Sequence, residues 1–309
     1  MSITRREFLV RSSAAVAFTA VPWRARGAGQ ATAPPATSFE LIRRNVGVFT
    51  GRGGTIGWLS NGGALVVVDT QFPDTATICL EGLRTRAGRV PDLVINTHHH
   101  GDHTAGNKVF GAVTKRIVAH VRVPDLQKRV AETAQPPTTA DQVYPGITFE
   151  TSWSEKAGDE RLSARHYGPA HTGGDAIVHF EQANVVHMGD LLFHERHPFI
   201  DRPAGASVRN WMKAVETIAT AMPADTRYIA GHSKEGLPVI VGREALQKQR
   251  DYFDAVLSHV QKGVAAGRSK AEITALETLK GFEGYQSAPP RLTLASTLGV
   301  AYDELTESK

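Results

Sequence analysis

The sequence has 309 residues, 41% of them hydrophobic and 21% charged, which is the balance of an ordinary globular protein. No run reaches the roughly 20 apolar residues a membrane-crossing helix needs. The net charge of +4 is concentrated at the start: residues 1–29 hold five of the 35 basic residues and one of the 31 acidic ones, leaving 30 of each in the remainder. A nucleic-acid enzyme keeps a basic footprint in its folded domain, and this balance argues against that class.

Residues 1–29 read as a leader. Arg5 and Arg6 precede a short apolar stretch at 14–21, and small residues follow around 25–29. This is the order of a secretory signal with paired arginines at its charged end. The alternative is a basic amphipathic helix that stays attached. The export reading places the mature protein in the periplasm, with the twin-arginine translocase as a transient partner and no stable membrane association afterwards. Cleavage before Ala28 or before Gln30 fits equally.

Residues 30–309 show no composition break, so they are expected to form one domain. Strands are predicted at 46–49, 57–59 and 64–68, separated by glycine-rich turns such as Asn61-Gly62-Gly63. The run 64–68 is apolar on both faces and reads as a buried central strand ending at Asp69. A helix follows over 74–87 with Gly88 as its stop, carrying Cys79 as a small buried residue; a lone cysteine excludes an internal disulfide. The strand 93–95 leads into a cluster of histidines. Strands at 161–167, 176–180, 185–188 and 227–230 come next, with a helix from Ser207 to about 222 among them. The tail is helical over 243–266 and 291–305, with a capping box at Ser269 and Glu272 between. Strands in both halves with helices between and after them favour an α/β (α+β) arrangement of two packed sheets with helices outside.

The chemistry gathers at strand ends. His98 and His100, then Asp102 and His103, then His171, Asp190 and His232 each lie just beyond a predicted strand. Loops at strand ends build sites on a rigid frame. His98 and His100 are two apart in an extended segment and point the same way. Gly101 is expected to let the chain turn sharply, placing Asp102 and His103 beside them but aimed differently. Such a set can hold two metals, one on His98, His100 and His171, the other on Asp102, His103 and His232, with Asp190 bridging. Nitrogen and oxygen ligands without a thiolate suit zinc best, two per chain, with iron or manganese as alternatives. The other eight histidines, His99, His120, His166, His179, His187, His194, His197 and His259, are assigned to surface or satisfied core positions, His99 being a spacer.

The run Thr97-His98-His99-His100-Gly101-Asp102-His103, with Gly106-Asn107 after it, resembles the T-H-x-H-x-D-H…G-N signature of the metallo-β-lactamase superfamily. Asp69, His171, Asp190 and His232 match that family's remaining motifs in order, so the resemblance covers about 46–235. It implies a four-layer αββα sandwich with the metals at one edge between the sheets. It also implies that Asp69 is not a ligand but holds the histidine loop.

The resemblance leaves several chemistries open. The cysteine-containing lactamases have Cys where this chain has Asp190 and Lys where it has Phe193, and the histidine-rich lactamases lack the bridging Asp. Asp190 resembles glyoxalase II-like thioesterases and related esterases, lactonases and phosphodiesterases, whereas export is typical of lactamases. The ligand set is given more weight. The expected function is dinuclear zinc-dependent hydrolysis of an ester, thioester, lactone or amide in a small-molecule substrate, with Asp102 orienting the attacking water and shuttling a proton. The alternatives are a periplasmic β-lactamase, a one-metal iron sulfur dioxygenase-like enzyme, and a metal-binding accessory protein without turnover. The segment 191–201 should overhang the site; His194, Arg196 and His197 either contact an anionic substrate or belong to a polar surface loop.

Overall fold

The structure is a computed structural model that describes residues 36–307. The expected signal at 1–29 lies outside the described residues.

The first sheet has seven strands in chain order. β1 (Ser38–Arg43), β2 (Val46–Thr50), β3 (Ile56–Ser60) and β4 (Leu65–Val68) form an antiparallel meander, and β5 (Leu93–Ile95), β6 (Ile117–His120) and β7 (Ile147–Phe149) extend it in parallel. β4 is apolar at every position because both its faces are covered. Val66 and Val68 face the second sheet, while Leu65 and Val67 face Ala76, Cys79, Leu80 and Leu83 of the helix Pro73–Ala87. That helix starts one residue earlier than expected, at a proline suited to a first turn, and Gly88 ends it with φ 66°.

The second sheet pairs β8 (Ser152–Ala157), β9 (Glu160–Arg165), β10 (Ile177–Phe180) and β11 (Val185–His187) in antiparallel order. β12 (Phe193–His194) and β14 (His232–Ser233) form a separate two-stranded ladder, while β13 (Arg227–Ile229) runs parallel to β11 and β15 (Ile240–Val241) closes the sheet. Val178, Phe180, Val185 and Ile229 meet the first sheet. Ile177, Val186 and Tyr228 face the other way, against Trp211, Val215 and Ile218 of the helix Val208–Ala221 and against the helices Arg243–Ala265 and Leu294–Thr306. The result is helix, sheet, sheet, helix. Alternate residues of each central strand serve different layers.

The expected strands and long helices appear within a few residues of their predicted bounds. Outside the predicted elements lie β1, β6, β7, β8, β15 and the helix Val123–Thr133. β8 reads Ser-Trp-Ser-Glu-Lys-Ala at a sheet edge and is largely solvent-facing, so it carries little apolar signal. Among the described residues no helix is long and apolar enough to cross a membrane.

Candidate metal centre

β4 delivers Asp69 to the sheet edge in the left-handed region, φ 63°, with its side chain fully buried. Asp69 Oδ1 accepts from the Thr97 backbone N–H at 2.7 Å. Its Oδ2 accepts from Thr97 Oγ1 and from His103 Nδ1, both at 2.8 Å. One carboxylate therefore fastens the loop after β5 both at its start and at His103. Gly101 is not the hinge of that loop. It opens the short helix Gly101–Thr104 without a positive φ, and a Cβ there would meet open space.

The ring protons of four histidines are placed by their partners. Thr97 Oγ1 gives its own proton to Asp69, so at 3.0 Å it accepts from His98 Nδ1. His171 Nδ1 donates to the Phe199 carbonyl at 2.8 Å, His100 Nε2 to Asp201 Oδ2 at 2.9 Å, and His103 Nδ1 to Asp69. On His98, His100 and His171 the opposite nitrogens are left as lone pairs, and they converge. His100 Nδ1 lies 3.1 Å from His98 Nε2 and 2.9 Å from His171 Nε2. Lone pairs facing each other at that spacing are accounted for by a cation among them.

A second group stands beside the first. His232 Nε2 is 3.1 Å from Asp102 Oδ2, and His103 Nε2 is 3.7 Å from the same oxygen. Asp190, in the turn after β11, reaches both groups. Its Oδ2 is 3.9 Å from His98 Nε2 and 3.4 Å from both His171 Nε2 and His232 Nε2, and its Oδ1 is 3.0 Å from His103 Nε2. His103 Nε2 and Asp190 Oδ1 are buried without an aligned hydrogen bond. All seven candidate ligands thus fall into two clusters, His98, His100, His171 and Asp190, and Asp102, His103 and His232; within each, the donor atoms lie within 4.8 Å of one another.

The electrostatics match this donor set. Burial pushes the His98 imidazolium well below its ordinary range and brings His171 to about 3, so both are neutral and available as donors to a metal. Burial opposes ionisation of Asp190, but His232 and His103 overcome it and hold the carboxyl well below the usual range; His103 and His232 do the same for Asp102. Burial likewise opposes charge on His103 and His232, yet Asp190 and Asp102 raise both, His232 to about 9. The carboxylates demand positive charge here. Protons on these two imidazoles can meet that demand, and so can metal ions, which then compete with acid for the same atoms.

The segment after Asp190 overhangs the site as expected, and its polar residues are tied to the protein's own groups. His194 Nδ1 donates to the Pro238 carbonyl at 2.9 Å, His197 is buried with its Nδ1 2.8 Å from the Tyr252 hydroxyl, and Arg196 forms a backbone bridge to Gln286. The residues that meet the site are Phe193, Phe199 and Asp201. Phe193 stacks on His232 with ring centroids 5.3 Å apart, and Phe199 lies 5.4 Å from His100 and 6.1 Å from His171. Asp201, 101 residues from the histidine it binds, belongs to no recognisable motif. His99 departs from its expected place. It is neither exposed nor satisfied, since both ring nitrogens are buried without a partner.

Two stacked sheets carry at their strand ends a histidine–aspartate cluster able to hold metal. The sequence profile described as "Metallo-beta-lactamase superfamily" matches residues 49–232, and the chain belongs to that superfamily. Among curated proteins it is similar to the hydroxyacylglutathione hydrolase of Methylococcus capsulatus, 30% identical over 201 residues, which cover 63% of this chain and 69% of that protein. It is also similar to the hydroxyacylglutathione hydrolase of Maricaulis maris, 29% identical over 134 residues, or 42% of this chain and 44% of that one. Among solved structures, a metallo-beta-lactamase from Pontibacter korlensis superposes with a TM-score of 0.58 at 16% identity, over 71% of this chain and 99% of its own. A double mutant of the sec-alkyl sulfatase PisA1 gives 0.65 at 16% identity, over 88% of this chain and 50% of its own. At such identities these two likenesses bear on the fold alone.

Proposed function

We propose that the protein is a dinuclear zinc hydrolase of small acyl compounds, with thioesters as its first substrate class. The observation that carries this reading is Asp190, whose carboxylate lies within 4 Å of imidazole nitrogens from both ligand groups. His98, His100 and His171 would hold one zinc, Asp102, His103 and His232 the other, and Asp190 both. When bound, the two ions supply Lewis acidity toward the carbonyl and a water acidic enough to serve as nucleophile near neutral pH. Asp102 is the carboxylate open to exchange with solvent, its side chain 27% exposed against 4% for Asp190. It orients the nucleophilic water and passes a proton onward. Phe193 and Phe199 wall the site with apolar surface and keep bulk water from the ligand imidazoles. The names of the curated relatives point to acylglutathione cleavage, and an acylglutathione is a thioester. Export of residues 30–309 through the twin-arginine translocase would place this activity in the periplasm.

The test is a hydrolysis screen of the zinc-loaded protein over thioesters, lactones, β-lactams and phosphodiesters, with elemental analysis of protein produced without added metal. Two zincs per chain and fastest turnover of thioesters support the reading. One iron per chain, or turnover confined to β-lactams, replaces it.

A further inference from the structure

Two of the three histidines of the first group are held in place by one short stretch of chain. Phe199 supplies the carbonyl that takes the His171 Nδ1 proton at 2.8 Å, and Asp201 Oδ2 takes the His100 Nε2 proton at 2.9 Å. The Asp201 backbone N–H donates to the His171 carbonyl at 3.1 Å, and its Oδ1 accepts from Ala204 N at 3.2 Å. The carboxylate is therefore fixed by the turn Arg202–Ala204 on one side and meets the imidazole on the other. His99 lies against the same oxygen, with Nε2 at 3.6 Å and its ring centroid 4.4 Å from that of His100. His103, in the second group, takes its acceptor from Asp69 instead.

We propose that Asp201 is the positioning residue of the first metal subsite. By accepting the Nε2 proton of His100 it leaves Nδ1 free and aimed at the centre, and its charge makes that imidazole a stronger donor. The inference rests on the metal-centre reading above and adds a residue that touches neither metal nor substrate. A competing account would make His99, His100 and Asp201 a third metal site, since their donor atoms also lie within 4.8 Å of one another. That site would require His100 to bind through both nitrogens. The 2.9 Å spacing to Asp201 is instead that of an ordinary N–H···O bond.

Zinc is titrated into the metal-free full chain against a chromophoric chelator, for the wild type, Asp201→Ala and Asp201→Asn. Circular dichroism checks the fold, and the visible spectrum of the cobalt-substituted protein is the second readout. The wild type is expected to bind two equivalents. Asp201→Ala should weaken one of the two about 10–100-fold and alter the cobalt bands of that site only. Asp201→Asn, which keeps an acceptor but not the charge, should weaken the same equivalent by less, and it decides the matter if the alanine variant does not fold. Folded variants whose two zinc constants both match the wild type overturn the proposal. So does a third zinc equivalent in the wild type that disappears in Asp201→Ala. A wild type that takes up no metal defeats the metal-centre reading itself, an outcome visible before any Asp201 variant is made.

Discussion

Asp69 receives three hydrogen bonds while its own backbone sits at φ 63°. A left-handed conformation costs a non-glycine residue about 1–2 kcal/mol, and buried bonds to a charged acceptor contribute about 1.5–3 kcal/mol each, so the bonds outweigh the strain. Removing the carboxylate would orphan the Thr97 N–H and release the His103 ring. Asp69→Ala should therefore lower unfolding stability by about 3–5 kcal/mol and reduce the zinc content of the purified protein. A urea midpoint and metal content equal to wild type would remove Asp69 from this role. Asp102 calls for a different experiment because it is half-open to solvent and holds no loop in place. Asp102→Asn should leave the melting temperature within a few degrees of wild type while kcat falls at least about 100-fold; an unchanged kcat on any verified substrate sinks the assignment. Asp102 was legible from its offset to the histidines, and the role of Asp69 through the family resemblance. Asp201 was not, since only the folded chain brings it to His100.

At the level of elements, the central strands β4 and β5 were legible because their uninterrupted apolar runs stop where the site begins. The connections that align the site were hidden. β12 (Phe193–His194) and β14 (His232–Ser233) are two residues each, too short for any periodicity, yet their parallel pairing sets Phe193 beside His232. Gly231 lies at this junction, its N–H donating to the Gly189 carbonyl at 2.9 Å, and a Cβ there would press on Asp190 Oδ1 and the Gly189 backbone. Gly231→Ala should thus cost about 1–3 kcal/mol by overpacking and weaken zinc binding through the displaced carboxylate. Gly101 is the control, inside the histidine motif itself but with open space around its missing Cβ and an ordinary backbone. Gly101→Ala should be neutral or stabilising by about 0.4–1 kcal/mol. Thermal melts and chelator titrations of the two variants check the contrast. If both behave alike, the close approach at Gly231 does not govern the site.

Across the whole molecule, the four layers bury histidines that are not candidate ligands as well as those that are. His187 lies between the sheets, its Nδ1 accepting from Gly189 N at 3.2 Å; His197 packs against Tyr252; and His120 stacks on His166 with centroids 4.0 Å apart. Burial is the main cause that brings each of these three to about 4. Their folded values lie below the roughly 6.5 of an unfolded histidine, so on acidification the unfolded chain takes up protons before the folded one does. The stability they contribute is complete above about pH 6.5 and is lost progressively as the pH falls toward 4. None of the three is a candidate ligand, so this acid sensitivity should persist when a chelator has removed all metal. Zinc release caused by protons competing at His103 and His232 adds to it only in the loaded protein. Urea unfolding of metal-free protein at pH 6.5, 5.5 and 4.5 should show a steepening loss on acidification; above 6.5 the raised His103 and His232, the latter at about 9, instead contribute stability that fades as the pH climbs. His187→Gln should flatten that loss, because the replacement takes up no proton on unfolding. A metal-free stability that stays level down to pH 4.5, or a slope indifferent to His187→Gln, would show that these buried imidazoles do not control the acid response.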